Sequence, residues 1–76
     1  MSYKNAIAYF LEHGWIVADE NPAVISFINR ADVLEHGTSI TIPIPKPMLS
    51  NESGWANALA MLESIKASND NARKNL

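Results

Sequence analysis

Seventy-six residues without a cysteine exclude a disulfide framework and any zinc site built on thiolates. The formal net charge of −2, with six lysines and arginines spread along the chain, argues against phosphate-backbone binding, which needs several cations on one face. The 47% hydrophobic content fits one folded globular domain and is too high for a disordered chain.

A domain this short buries only ~60% of the surface its unfolded chain exposes, so its apolar core is thin and self-association would help it. No basic segment followed by an apolar stretch opens the chain, so no signal peptide is expected. No apolar run approaches the roughly 20 residues of a membrane span. A cytoplasmic protein is the expectation, in keeping with the missing cysteines.

The first helix is predicted over Tyr3 to His13. Tyr3, Ile7, Phe10 and Leu11 recur at spacings of three and four, Ala6 widens the stripe, and Ser2 is the expected N-cap. Gly14 can take the left-handed conformation that stops a helix. A strand follows over Trp15 to Asp19. Glu20-Asn21-Pro22-Ala23 is turn chemistry, and Val24 to Asn29, rich in β-branched and aromatic residues, is the second strand of an antiparallel hairpin. Arg30 to Gly37 reads as a loop, polar apart from Ala31, Val33 and Leu34. In Thr38 to Ile44, Ile40, Ile42 and Ile44 alternate with Thr41 and Pro43, the pattern of a half-buried strand. Pro43 has no N–H for a ladder, which places it at an edge. Pro43, Pro45 and Pro47 then carry the chain away extended.

The second helix is predicted from Asn51–Ser53 to about Ser68, with Trp55, Leu59, Leu62 and Ile65 as its buried stripe and Ala58 and Met61 beside it. Gly54 in its first turn is expected to cost little. Residues 69–76 read as a polar, frayed tail. The expected domain is therefore residues 1–68, of the α+β class: an αβββα chain whose three-stranded antiparallel meander carries both helices on one face.

Alternation assigns Trp15, Val17, Val24, Ser26, Ile28, Ile40, Ile42 and Ile44 to the face under the helices. The opposite face then holds Ile16, Ile25 and Phe27, more apolar area than a solvated face of an antiparallel sheet should carry. This surplus makes Ile16, Ile25 and Phe27, with the strand edge at Pro43, the candidate partner-binding residues. The tail or the Val33-Leu34 loop, a second copy of the chain, or another protein could each cover them.

Catalytic signals are sparse. His13 at a helix end is explained as a cap near the negative pole of the helix dipole. Asp32, Glu35 and His36 stand close in sequence and are the one group that could hold a hard cation or relay a proton. Trp15 and Trp55 could stack on bases, but both fall on core stripes. No phosphate-cradling loop, nucleophilic cysteine or Ser-His-Asp spacing is present. The reading is a non-enzymatic module with no cofactor, no nucleic acid and no membrane association, whose partner is a protein or itself.

Leu11, Gly14-Trp15, the run Ile40 to Pro43 and the stripe Leu59, Leu62, Ile65 occur in an order that resembles the double-stranded-RNA-binding fold. The HicA-type toxins, small mRNA interferases, share that fold. The resemblance spans residues 5–66 and implies RNA binding or RNA cleavage as the alternative function. The functional positions differ. HicA-type toxins carry a catalytic histidine on the second strand, where this chain has Val24-Ile25-Ser26-Phe27-Ile28. Double-stranded-RNA binders carry lysines at the start of the last helix, where this chain has Ser50-Asn51-Glu52-Ser53-Gly54. An acid beside the positive end of a helix dipole repels the phosphate expected there.

Overall fold

The computed structural model describes residues 3–74, in the order α1 (Lys4–Glu12), β1 (Trp15–Glu20), β2 (Val24–Asn29), α2 (Arg30–His36), β3 (Ile42–Pro45), a 3₁₀ turn (Lys46–Leu49) and α3 (Glu52–Lys74). The strands form one antiparallel sheet in the order β1-β2-β3, so the protein is α+β with a three-stranded meander flanked by helices. The predicted cap Ser2 and the last two residues of the predicted tail lie outside the described residues.

Local chemistry explains most of the boundaries. At the end of α1 the chain turns through Gly14, whose φ of 87° is costly for any residue with a Cβ. In the hairpin, the Asn21 side-chain oxygen accepts from the N–H groups of Ala23 and Val24 at 2.9 Å, an Asx turn that reverses the chain. At the start of α3 the Asn51 Oδ1 accepts from the Gly54 N–H at 2.8 Å, an N-cap bond.

Three elements differ from the sequence expectation. Residues Arg30–His36 are a helix rather than a loop. Asn29 caps it by accepting from the Asp32 N–H at 3.0 Å, and Gly37, at φ 78°, closes it by donating to the Val33 carbonyl. Asn before the helix, Asp in its first turn and Gly after it are start and stop signals; their separation of only seven residues hid them. Strand β3 begins at Ile42 and not at Thr38. Upstream of it, the Ser39 hydroxyl takes the place of a ladder carbonyl by accepting from the Asn29 N–H at 2.9 Å. The second predicted helix, here α3, runs six residues past Ser68 to Lys74, so the stretch expected to fray is helical. A Lys66–Asp70 pair at the i,i+4 spacing supports that last stretch.

The face assignment of β2 is also corrected. Ile25 and Phe27 are fully enclosed with Trp15, Ile42 and Ile44, and they pack beneath Ala6 and Phe10 of α1 and Ala58 and Leu62 of α3. The rings of Phe10 and Phe27 lie 4.8 Å apart. Against β3 the face is set by the register, in which Ile25 pairs with Ile44 and Phe27 with Ile42; a β-bulge between Val17 and Asp19 decides which residues of β1 share that face. Near the turn, Asp19 faces Ser26 and Glu20 faces Ile25; beyond the bulge, Val17 faces Phe27 and Trp15 faces Asn29. The extra residue shifts the register by one, and a shift of one exchanges the two faces of a strand. The predicted grouping of Val17 with Ile28 is the one that an unbulged hairpin would have.

Candidate functional site

Two surfaces hold the residues singled out by the sequence. The first is the sheet face turned away from α1 and α3. Across it Ile16 pairs with Ile28, Ser26 with Pro43 and Val24 with Pro45. Ile16, Val24, Ser26 and Ile28 are half-buried and the two prolines exposed, and none belongs to the core cluster. Of the predicted partner-binding residues, Ile16 and Pro43 therefore share a surface, while Ile25 and Phe27 lie in the core and are not available to a partner. The surplus of apolar area persists with different members: Val24, Ile28 and Pro45 replace Ile25 and Phe27. On the β3 side the two prolines remove ladder donors from the edge.

The second surface is a charged cleft of about 380 Å³ between α2 and the C-terminal half of α3. Asp32, Glu35 and His36 enter it from α2; Lys66, Asp70, Arg73 and Lys74 enter it from α3. Asp32 is buried, with 3% of its surface exposed. Its Oδ1 lies 3.6 Å from the Lys66 Nζ, which also donates to Asp70 Oδ2 at 2.5 Å. Lysine 66 is thus held between two carboxylates. His36 Nε2 is 3.9 Å from Glu35 Oε2, both at the exposed rim. Among the described residues no three His, Cys, Asp or Glu side chains are arranged to hold a metal ion. Although Asp32, Glu35 and His36 share a short helix, Asp32 turns inward to a lysine while the other two pair at the surface.

The Lys66–Asp70 contact has an electrostatic signature. The hydrogen bond from Lys66 holds the Asp70 carboxyl below the usual carboxylate range. The same bond, aided by the charge of Asp32 and opposed by partial burial, raises the Lys66 ammonium. Asp70 therefore contributes stability above the normal carboxylate range and loses it as pH falls through its lowered pKa. Lys66 contributes below the normal lysine range and loses it as pH rises through its raised pKa. Replacing Lys66 by Met is expected to move the Asp70 midpoint upward, read by carbon-13 NMR of the side-chain carboxyl. An unmoved midpoint would show that the pair does not form in solution.

The remaining candidates are structural. His13 Nδ1 donates to the Tyr9 carbonyl at 2.8 Å. Trp15 is fully buried, and its indole N–H points to Glu63 Oε1 at 3.4 Å. Trp55 donates to the Leu49 carbonyl at 2.8 Å, tying α3 to the 3₁₀ turn. No helix among the described residues is long and apolar enough to cross a membrane. Comparison of the chain with protein-family models, curated proteins and solved structures gives no match.

The sequence reading missed the α3 half of the cleft. Lys66, Asp70 and Arg73 repeat at spacings of four and three, a stripe on one helical face that becomes visible only once the helix is carried past Ser68.

Proposed function

We propose that this chain is a non-catalytic protein-interaction module, of the regulator, adaptor or inhibitor kind, that docks through the open sheet face. The observation that carries the reading is the apolar stripe Ile16, Ile28, Val24, Pro43 and Pro45, which lies outside the core cluster. A small domain that leaves such a stripe on an antiparallel sheet gains stability when a second apolar layer covers it.

The partner favoured by the charge pattern is a second copy. Asp19 faces Ser26 near the hairpin end of this face, and Arg30 follows β2 at the other end. Neither has an ion-pair partner among the described residues. A two-fold axis lying across the strands, between two such faces, would bring Asp19 of one copy toward Arg30 of the other, and closed two-fold contacts of this kind are self-complementary. A reducing, cytoplasmic setting agrees with the cysteine-free sequence.

The RNA reading has less support. Lys46 is paired with Glu20 at 2.6 Å and Lys66 with Asp32 and Asp70, which leaves little net positive field for a phosphate backbone.

Sedimentation velocity over a concentration series tests the proposal. The wild type should form dimers. Ile28→Glu should shift it to monomer without loss of helical signal. Asp19→Arg and Arg30→Asp should each weaken the dimer and together restore it. A wild-type protein that stays monomeric at the highest concentration and binds no apolar dye would overturn the reading.

A further inference from the structure

The cleft between α2 and α3 plays no part in the interaction reading, yet it contains two buried polar atoms without partners. Asp32 is 3% exposed, and its Oδ2 accepts no hydrogen bond. Across the same cleft the buried Nη1 of Arg73 donates none. Lys66 does not satisfy Asp32 fully, because it approaches the other oxygen and its closest bond goes to Asp70. A carboxylate oxygen without a donor and a guanidinium N–H without an acceptor each carry a desolvation cost that a suitable ligand removes.

The chemistry of that ligand follows from the lining. Asp32, Glu35 and Asp70 oppose Lys66, Arg73 and Lys74, three acids against three bases, so the formal charge with His36 neutral is zero. A ligand with a net charge of either sign gains little from such a field. A neutral ligand that carries both signs gains at both ends. It needs a cationic donor for Asp32 Oδ2 and an anionic acceptor for Arg73 Nη1. The cleft volume of about 380 Å³ lies at the small end of the range for ligand pockets.

We propose that this cleft is a binding site for a small zwitterion of the free α-amino acid type. Its ammonium donates to Asp32 Oδ2, and its carboxylate accepts from Arg73 through a charge-assisted bond. Lys66 is a positioning residue: it approaches Asp32 at the other oxygen and leaves Oδ2 without a donor. Because Oδ2 and Arg73 Nη1 are both closed to solvent, the two side chains turn outward as the ligand enters. The site is independent of the open sheet face, so either assignment can fail without the other.

The test is a proton–nitrogen correlation NMR titration of the full chain with L-alanine and with L-glutamine, using acetate and methylamine as single-charge controls. Saturable shifts are expected at the amides of Asp32, Glu35, Asp70 and Arg73 with at least one amino acid, and at least tenfold weaker binding of both controls. Asp32→Asn and Arg73→Gln should each weaken the amino acid at least tenfold. Arg73 lies near the end of α3, so the second variant reports on the site even if loss of the Asp32 charge disturbs α2. Absence of saturable shifts would overturn the proposal. Equal binding of acetate, or amino-acid binding unchanged in Arg73→Gln, would overturn it as well.

Discussion

Phe27→Ala is expected to cost about 3–5 kcal/mol, the usual loss for truncating a buried aromatic side chain, whereas Ile28→Ala is expected to cost about 1 kcal/mol, as at a partly exposed site. Phe27 is fully enclosed, its ring tilted against that of Phe10, and it pairs with Ile42 of β3. Ile28 is half-buried on the other face, opposite Ile16. At roughly 0.05–0.15 kcal/mol per residue, a domain of this size holds about 4–11 kcal/mol, so the Phe27 substitution removes a large share of its stability. The Phe27 variant should therefore unfold at a much lower denaturant concentration than its neighbour. Urea unfolding followed by circular dichroism measures both. Equal losses at the two positions, or a larger loss at Ile28, would show that β2 does not present Ile25 and Phe27 to the core.

Gly54→Ala separates two effects of opposite sign. Helix propensity alone favours alanine, by up to ~1 kcal/mol. Packing opposes it: a Cβ on Gly54 would lie 1.8 Å from the Met48 carbonyl oxygen and 2.8 Å from its carbon. Both are backbone atoms of the 3₁₀ turn, so no side-chain rotation relieves the clash. The first turn of α3 or the turn beneath it must move, and with it Leu49, which is buried, and its carbonyl bond to Trp55. Overpacking of this kind costs about 1–3 kcal/mol, so the net effect is a loss. The denaturation midpoint should fall, and Trp55 fluorescence should shift as the Leu49 contact loosens. A stabilised variant would show that α3 and the 3₁₀ turn stand further apart. Gly14 and Gly37 are glycines for a different reason: both have positive φ with open space around the missing Cβ, so alanine there meets backbone strain and no obstacle.

Much of the meander could be read locally. Gly14 and the Asn21-Pro22 turn each state a backbone preference over a few residues and appear where expected; of the alternating isoleucines Ile42 and Ile44 lie in β3, whereas Ile40 precedes it. The short helix α2 was legible in principle, since Asn29, Asp32 and Gly37 are its cap, first-turn acid and terminator. What was missing is length: a seven-residue helix buries too little of its own to produce a periodic stripe, and α2 buries Asp32 alone. The C-terminal extension of α3 was illegible for a related reason. Asn69, Asp70, Asn71 and Arg73 show no apolar period, and their helical stripe gains meaning only opposite α2.

By itself the sequence determined the α+β class, the hairpin, the antiparallel order of the strands, the apolar stripe of α3 and, through Tyr3, Ala6 and Phe10, much of that of α1, whose Leu11 is exposed, because these follow from preferences acting within one turn or one strand. Which side of β2 is enclosed was decided only in three dimensions. Val24, Ser26 and Ile28 on one side and Ile25 and Phe27 on the other are both apolar enough to be buried. The gain from placing Ile25 and Phe27 against Phe10, Ile42 and Ile44 while Ser26 stays near water selects between them, and the inserted residue at the bulge in β1 brings Trp15 to the same side. The charged cleft likewise exists only because two helices distant in sequence are brought side by side, setting Asp32 against Lys66 and Arg73.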